Sequence, residues 1–225
     1  MDPEPRPHIF KFSNRHIFKS PHRYIGTLNI YLWTVKTGNM GVIISMLRGI
    51  NVSGQKKVPM KELKALYEEL GFTRVSTYIQ SGNVVFETRE KTDGLVRKIE
   101  KALHAHFGFE VSVIHRTPEE LATVLENNPF LKEKDLQADK LYVSFLAETP
   151  GAEHIEKARA YQTGADRFEV SGRETYLYLP DGYGRTKFHN NFMEGKLKVT
   201  ATTRNWKTVN ELYTMARNLQ TPPAP

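Results

Sequence analysis

The 225-residue chain is long enough for one ordinary domain or two small ones, and 39% hydrophobic with 25% charged content fits a globular core. It has no cysteine, which excludes disulfides and thiol chemistry and suits a reducing cytoplasm. No apolar run approaches the roughly 18–20 residues a membrane helix needs, so no membrane partner is expected. The formal charge of +7 invites a nucleic-acid reading, but residues 1–39 hold six basic against two acidic side chains, so over half of the excess sits in one terminal segment.

That segment is unlike the rest. It opens proline-rich and carries His8, His16 and His22, with nothing in the spacing to fix a metal geometry. Residues 24–35 are mildly apolar, as in the h-region of a signal peptide, but no small-residue cleavage site follows. The expectation is a weakly structured N-terminal extension over 1–39, with Met40 as the true start.

Residues 42–47 form a nearly continuous apolar run, as in a buried central strand. A glycine loop follows, and Pro59 suits a first helical position, where no amide donor is needed. Leu63, Leu66, Tyr67 and Leu70 then share one helical face, and Gly71 closes the helix. Residues 73–79 and 84–88 read as strands joined through Ser81, Gly82 and Asn83, which supply turn chemistry. A helix with Leu95, Val96, Ile99, Leu103 and Phe107 on its buried face and a strand over 110–115 complete a βαββαβ pattern. Thr117, Pro118 and Glu120 form a capping box for a linker helix that Asn127, Asn128 and Pro129 stop.

The pattern then recurs. Strands are expected over 140–147, 167–170, 174–179 and 198–202, and helices over 150–161 and 185–194, followed by a last helix carrying Trp206, Val209, Leu212, Tyr213, Ala216 and Leu219 on one side. The fold expected is α+β: two tandem ferredoxin-like βαββαβ units arising by duplication, over 40–116 and 139–219, with a linker helix and loop over 117–138 and a C-terminal helix. Residues 220–225 are expected to form a disordered end.

The stretches LRGINVSG (47–54), VPMKELKALYEELGF (58–72), YIQSGNVVF (78–86) and GRTKFHNNFMEGKLKVTATTRNWKTVNEL (184–212) resemble the signature of the DUF1697 family of mostly bacterial proteins. The resemblance covers about residues 41–219. It implies a fold and a set of marked positions, and it carries no activity.

Among candidate sites, the loop 49–57 begins like a phosphate-binding Walker loop. It then departs from one: Gln55 stands where the lysine belongs, and the helix starts too late for its amides to close on a phosphate. A looser anion site built from glycine-exposed amides with Arg48, Lys56 and Lys57 stands beside the reading that the glycines only turn the chain. Residues 203–208 are read as a helix start, where Thr203 or Asn205 caps, Arg204 grips an anion and Trp206 walls the site; the alternative is ordinary capping with Arg204 in a salt bridge. Together, Arg48, Asn51, Gln80, Ser81, Asn83, Lys187, Arg204, Asn205 and Trp206 place amides and cations at element ends, suited to phosphate or base edges. The alternative is that they bind one another across the seam between repeats.

Neither strand pair carries the basic and aromatic motif of RNA-recognition sheets, although Tyr176, Tyr178 and Tyr142 are expected on one face as a stacking platform or a contact with the other repeat. For catalysis, His115 and His189 are lone histidines without a nucleophile motif. No metal or cofactor fingerprint is present, so catalytic residues are unassigned, no cofactor is expected, and whether the protein is an enzyme stays open. The reading is a cytoplasmic protein that binds a phosphate-bearing ligand, a nucleotide or nucleic acid, at the joint between repeats. The alternatives are a small-molecule enzyme using a histidine in the same cleft, and a protein-partner module.

Overall fold

The computed structural model describes residues 40–92, 94–134 and 136–221; the expectations for residues 1–39 and for the end after 221 lie outside them. Two four-stranded antiparallel sheets make up the described part, with six helices and two short 3-10 turns.

The first half runs β1 (Gly41–Leu47), α1 (Met60–Glu69), β2 (Thr73–Tyr78), β3 (Asn83–Thr88), α2 (Leu95–Phe107) and β4 (Val113–Arg116), with sheet order β2-β3-β1-β4. Helix α3 (Pro118–Glu126) links it to the second half. That half runs β5 (Leu141–Leu146), α4 (Ala152–Arg159), β6 (Arg167–Ser171), β7 (Glu174–Tyr178), α5 (Asn190–Leu197) and β8 (Ala201–Asn205), with order β6-β7-β5-β8, and ends in α6 (Trp206–Gln220).

Strand β1 is apolar but for Ser45, whose hydroxyl is bonded to that of Tyr67 at 2.7 Å, because both its faces are covered. Ile43 and Leu47 join Leu63, Tyr67, Ile99 and Leu103 of α1 and α2 in one core. Val42, Ile44 and Met46 face a central core shared with Leu141, Val143 and Phe145 of β5, Leu121 of α3 and Leu212 of α6. A third core lies on the other face of the second sheet, with Leu146, Phe168, Leu177, Met193 and Leu197. The layers are therefore helices, sheet, a central layer holding α3 and α6, sheet, and helices.

The capping box expected at Thr117 is present: its hydroxyl accepts from Glu120 N–H at 3.2 Å while the Glu120 carboxylate accepts from Thr117 N–H at 2.8 Å. Two elements of the second half are displaced from the periodicity reading. The helix expected over 185–194 is Asn190–Leu197, because His189 provides the cap: its Nδ1 accepts from Phe192 N–H at 3.3 Å. The strand expected over 198–202 is Ala201–Asn205, so Thr203 and Arg204 belong to β8 and not to a helix start. The first strand pair turns at left-handed Gly82, which approaches Ile50 and Leu47 so closely that a Cβ there would lie 2.6 Å from Ile50 Cδ1.

The two halves match in register. Ile44 lies opposite Arg116 and Val143 opposite Arg204, while Leu47 N–H donates to Gly82 O at 2.8 Å as Leu146 N–H does to Arg173 O at 2.8 Å. Each half thus sends an arginine from its last strand into the hairpin of the other. Arg116 donates from Nε to Glu174 at 2.8 Å and from Nη2 to Leu146 O and Arg173 O, both at 2.9 Å. Arg204 donates from Nε to Asn83 Oδ1 at 2.5 Å and from Nη2 to Leu47 O at 2.8 Å and Ser81 O at 3.0 Å. Buried polar groups need partners, and these two side chains fasten the seam by meeting the hairpin acceptors across it.

Candidate functional site

A cleft of about 490 Å³ opens where the two halves meet, lined by Arg48, Gly49, Val52, Ser53, Gln55 and Lys56 on one side and by Tyr183, His189, Asn190 and Asn191 on the other. Its first wall is a small hairpin. Ser53 and Gly54 have φ of 49° and 76°, and Gln55 N–H donates to Val52 O at 2.9 Å, a two-residue turn of type I′. Asn51 and Lys56, at φ 54° and 45°, are also left-handed. Such a run of left-handed non-glycine residues is costly unless held from outside. Asn51 does the holding: Oδ1 accepts from Val58 N–H at 2.8 Å, and Nδ2 donates to Val58 O and Gln80 O, both at 2.9 Å. Val52 stays 59% exposed, so burial does not explain the tip.

Two cations stand on this wall. Arg48 donates to both oxygens of Glu194, at 2.6 and 2.5 Å, and to Asn191 Oδ1 at 2.8 Å; the Glu194 bond raises its pKa. Lys56 Nζ donates to Glu110 O at 2.6 Å, a bond to a neutral group, so its charge is uncompensated there. On the facing wall the Tyr183 hydroxyl accepts from Asn190 N–H at 3.1 Å and donates to Asn190 Oδ1 at 3.2 Å. Thr203 Oγ1 donates to the same Oδ1 at 2.6 Å.

Behind this wall lies Arg204. It is 6% exposed, and its six acceptors are Asn83, Thr202, Thr203 O, Leu47 O, Ser81 O and Gly82 O, none of them a carboxylate. Burial lowers its pKa to about 10, so it stays protonated at neutral pH, and Tyr183 is close enough to act on both Arg204 and Arg48. Its counterpart Arg116, also lowered by burial, has Glu174.

Of the residues singled out in the sequence, Arg48 lines the cleft, Asn51 braces its loop, and Ser81, Asn83 and Arg204 are joined in a hydrogen-bonded group at the seam. Gln80 is exposed and contributes its carbonyl to Asn51. Lys187 points elsewhere, donating to Thr163 Oγ1 at 3.0 Å. Asn205 caps α6, accepting from Thr208 N–H at 2.8 Å, and Trp206 packs on the central core. Tyr183, Asn190, Asn191 and Glu194 were not singled out by sequence; the available signal for the last three was only their place in the long matched stretch 184–212, and Tyr183 lies just before it.

The tyrosines do not form one platform. Tyr142 lies opposite Leu177, so it faces away from Tyr176 and Tyr178, which pack on the central core. The two histidines do not share a cleft either: His189 lines this one and His115 lines another, of about 400 Å³. Among the described residues, no three His, Asp or Glu side chains are grouped as a metal would need, and no helix is long and apolar enough to cross a membrane.

The fold and seam define an α+β protein of two antiparallel sheets. The chain belongs to the DUF1697 family, described as a protein of unknown function, whose model matches residues 40–176. Among solved structures it is similar to the conserved bacterial protein SP0830 from Streptococcus pneumoniae, at 26% identity and a TM-score of 0.65, over 79% of this chain and 99% of that one. No curated protein matches the chain.

Proposed function

We propose that the protein binds a small phosphate-bearing ligand, such as a nucleotide, in the cleft between the Arg48 loop and the Tyr183–Asn190 wall. The observation that carries this reading is the asymmetry of the two seam arginines. Arg116 meets a carboxylate and Arg204 does not, so the Arg204 side of the seam keeps a buried positive charge close to Tyr183, which lines the cleft with Arg48 and Lys56. Against these three cations stands one carboxylate, Glu194. In a partly dry cleft such an excess favours an anion. The left-handed residues of the loop supply backbone of the kind that cradles phosphate oxygens. A long nucleic acid is less favoured, because the sheet tyrosines are packed inward and give bases no platform.

The same reading takes the halves, 40–116 and 139–219, as duplicated ferredoxin-like units joined through 117–138, supported by their matching strand order and arginine registers. It places the protein in the cytoplasm, where phosphorylated metabolites are abundant.

The test is a thermal-shift series on the full chain with inorganic phosphate, mononucleotides, sugar phosphates and short RNA. A ligand at about 100 times its Kd stabilises by about 2.7 kcal/mol, or about 5–10 °C for a chain of this size. Lys56→Ala is expected to remove most of that shift without lowering the unliganded Tm. Glu194→Gln is expected to enlarge it. A phosphate-independent shift, or one that Lys56→Ala leaves intact, would overturn the reading.

A further inference from the structure

Three consecutive residues, His189, Asn190 and Asn191, line the wall of the cleft that faces the Arg48 loop. Each neutral side chain holds both a hydrogen-bond donor and an acceptor. In all three the acceptor is already taken by the protein. His189 Nδ1 accepts from Phe192 N–H at 3.3 Å as the cap of α5. Asn190 Oδ1 accepts from the Tyr183 hydroxyl at 3.2 Å and from Thr203 Oγ1 at 2.6 Å. Asn191 Oδ1 accepts from Arg48 Nη2 at 2.8 Å.

What remains on each side chain is a donor. A neutral His189 whose Nδ1 accepts carries its proton on Nε2, so the capped ring offers the cleft an N–H and no lone pair. The Nδ2 groups of Asn190 and Asn191 donate to no acceptor among the described residues. These donors are within reach of a ligand. His189 and Asn191 are exposed, and half-buried Asn190 has no atom among the sealed, unpartnered polar atoms. His115 is the contrast: both its ring nitrogens are buried and unpartnered, out of reach of any ligand.

The rest of the lining does not restore the balance. No Asp or Glu lines the cleft, and Lys56 adds a further donor. Glu194, behind the wall, is held by Arg48 and by Ala201 N–H at 2.9 Å. Ser53 and Gln55 on the facing loop can turn either way.

We propose that residues 189–191 make the cleft selective for an oxyanion group that carries no proton, a phosphate ester or a sulfate, whose outer oxygens accept hydrogen bonds and donate none. The inference rests on the anion-binding reading above and names which oxyanions that reading covers. Inorganic phosphate is the disfavoured case. Its dianion keeps one O–H, which needs an acceptor, and this wall presents donors only.

The test is titration calorimetry of the full chain at pH 8 with inorganic sulfate and inorganic phosphate, two dianions of similar size. Sulfate is expected to bind at least as tightly as inorganic phosphate. Phenyl phosphate and phenyl sulfate then tell which ester the cleft takes, and at least one is expected to match inorganic phosphate. Asn191→Asp keeps an oxygen for Arg48 and turns the left-over donor into an acceptor. Its added charge weakens both inorganic dianions alike, so the ratio of their Kd values reads the hydrogen bond alone, and that ratio is expected to move about tenfold towards inorganic phosphate. His189→Ser keeps a capping oxygen but withdraws the ring donor, and is expected to weaken sulfate binding while the unliganded Tm holds. A parent that binds inorganic phosphate about tenfold more tightly than sulfate, or a ratio that Asn191→Asp leaves unmoved, would overturn the inference and leave the anion site in place. If none of these anions binds, the anion-binding reading falls and this one falls with it.

Discussion

The sharpest consequence of His115 is its effect on stability against pH. The ring is buried beside Arg116, and its pKa is lowered to about 4, chiefly by burial, from an ordinary 6.5. Below pH 6.5 the unfolded chain takes up a proton that the folded chain refuses, so stability falls as pH drops from 6.5 towards 4. At about 1.36 kcal/mol per unit, the full loss is about 3 kcal/mol, and about 2 kcal/mol of it has accrued by pH 5. His115→Phe removes the titrating group, fills the same space and abolishes two unpartnered polar atoms. The assay is urea unfolding of the parent and His115→Phe at pH 7, 6 and 5. The parent is expected to lose about 2 kcal/mol more than the variant between pH 7 and 5, since the carboxylates common to both cancel. Parallel pH profiles for the two proteins would refute the reasoning.

Other consequences follow from the seam and the turns. Arg204→Ala leaves Asn83 Oδ1 and Ser81 O without their guanidinium donor, and is expected to cost about 2–4 kcal/mol in urea unfolding; Arg204→Lys should recover only part, because an ammonium cannot reach acceptors spread over a fork. Gly82→Ala combines φ of 76° with a Cβ 2.6 Å from Ile50 Cδ1, and should cost at least about 2 kcal/mol, read as a lowered midpoint at unchanged slope. Thr117→Ala removes the hydroxyl half of the α3 capping box and should cost about 1 kcal/mol by the same measurement.

Much of the architecture was legible in the chain itself. The apolar run 42–47, the heptad-like face of Leu63, Leu66, Tyr67 and Leu70, and the capping box at Thr117 report on forces acting within a few residues. Those forces place strands and helices whatever lies further off. The boundaries that slipped, at α5 and β8, were decided by His189 acting as a cap and by β8 pairing along β5; a histidine cap and a polar strand leave little mark on periodicity. The joint residues from Arg48 to Asn205 were also visible as polar groups at element ends. What the sequence could not assign was their division of labour. Only the tertiary structure puts Arg204 beneath the seam and not in the cleft, gives Arg116 a carboxylate while its counterpart meets Asn83, brings Tyr183 and Asn190 opposite Lys56, and leaves His115 without a partner. Those outcomes depend on contacts between groups more than a hundred residues apart in several cases. Desolvation and pairing over such separations are set by the assembled seam, and no local pattern of residues encodes them.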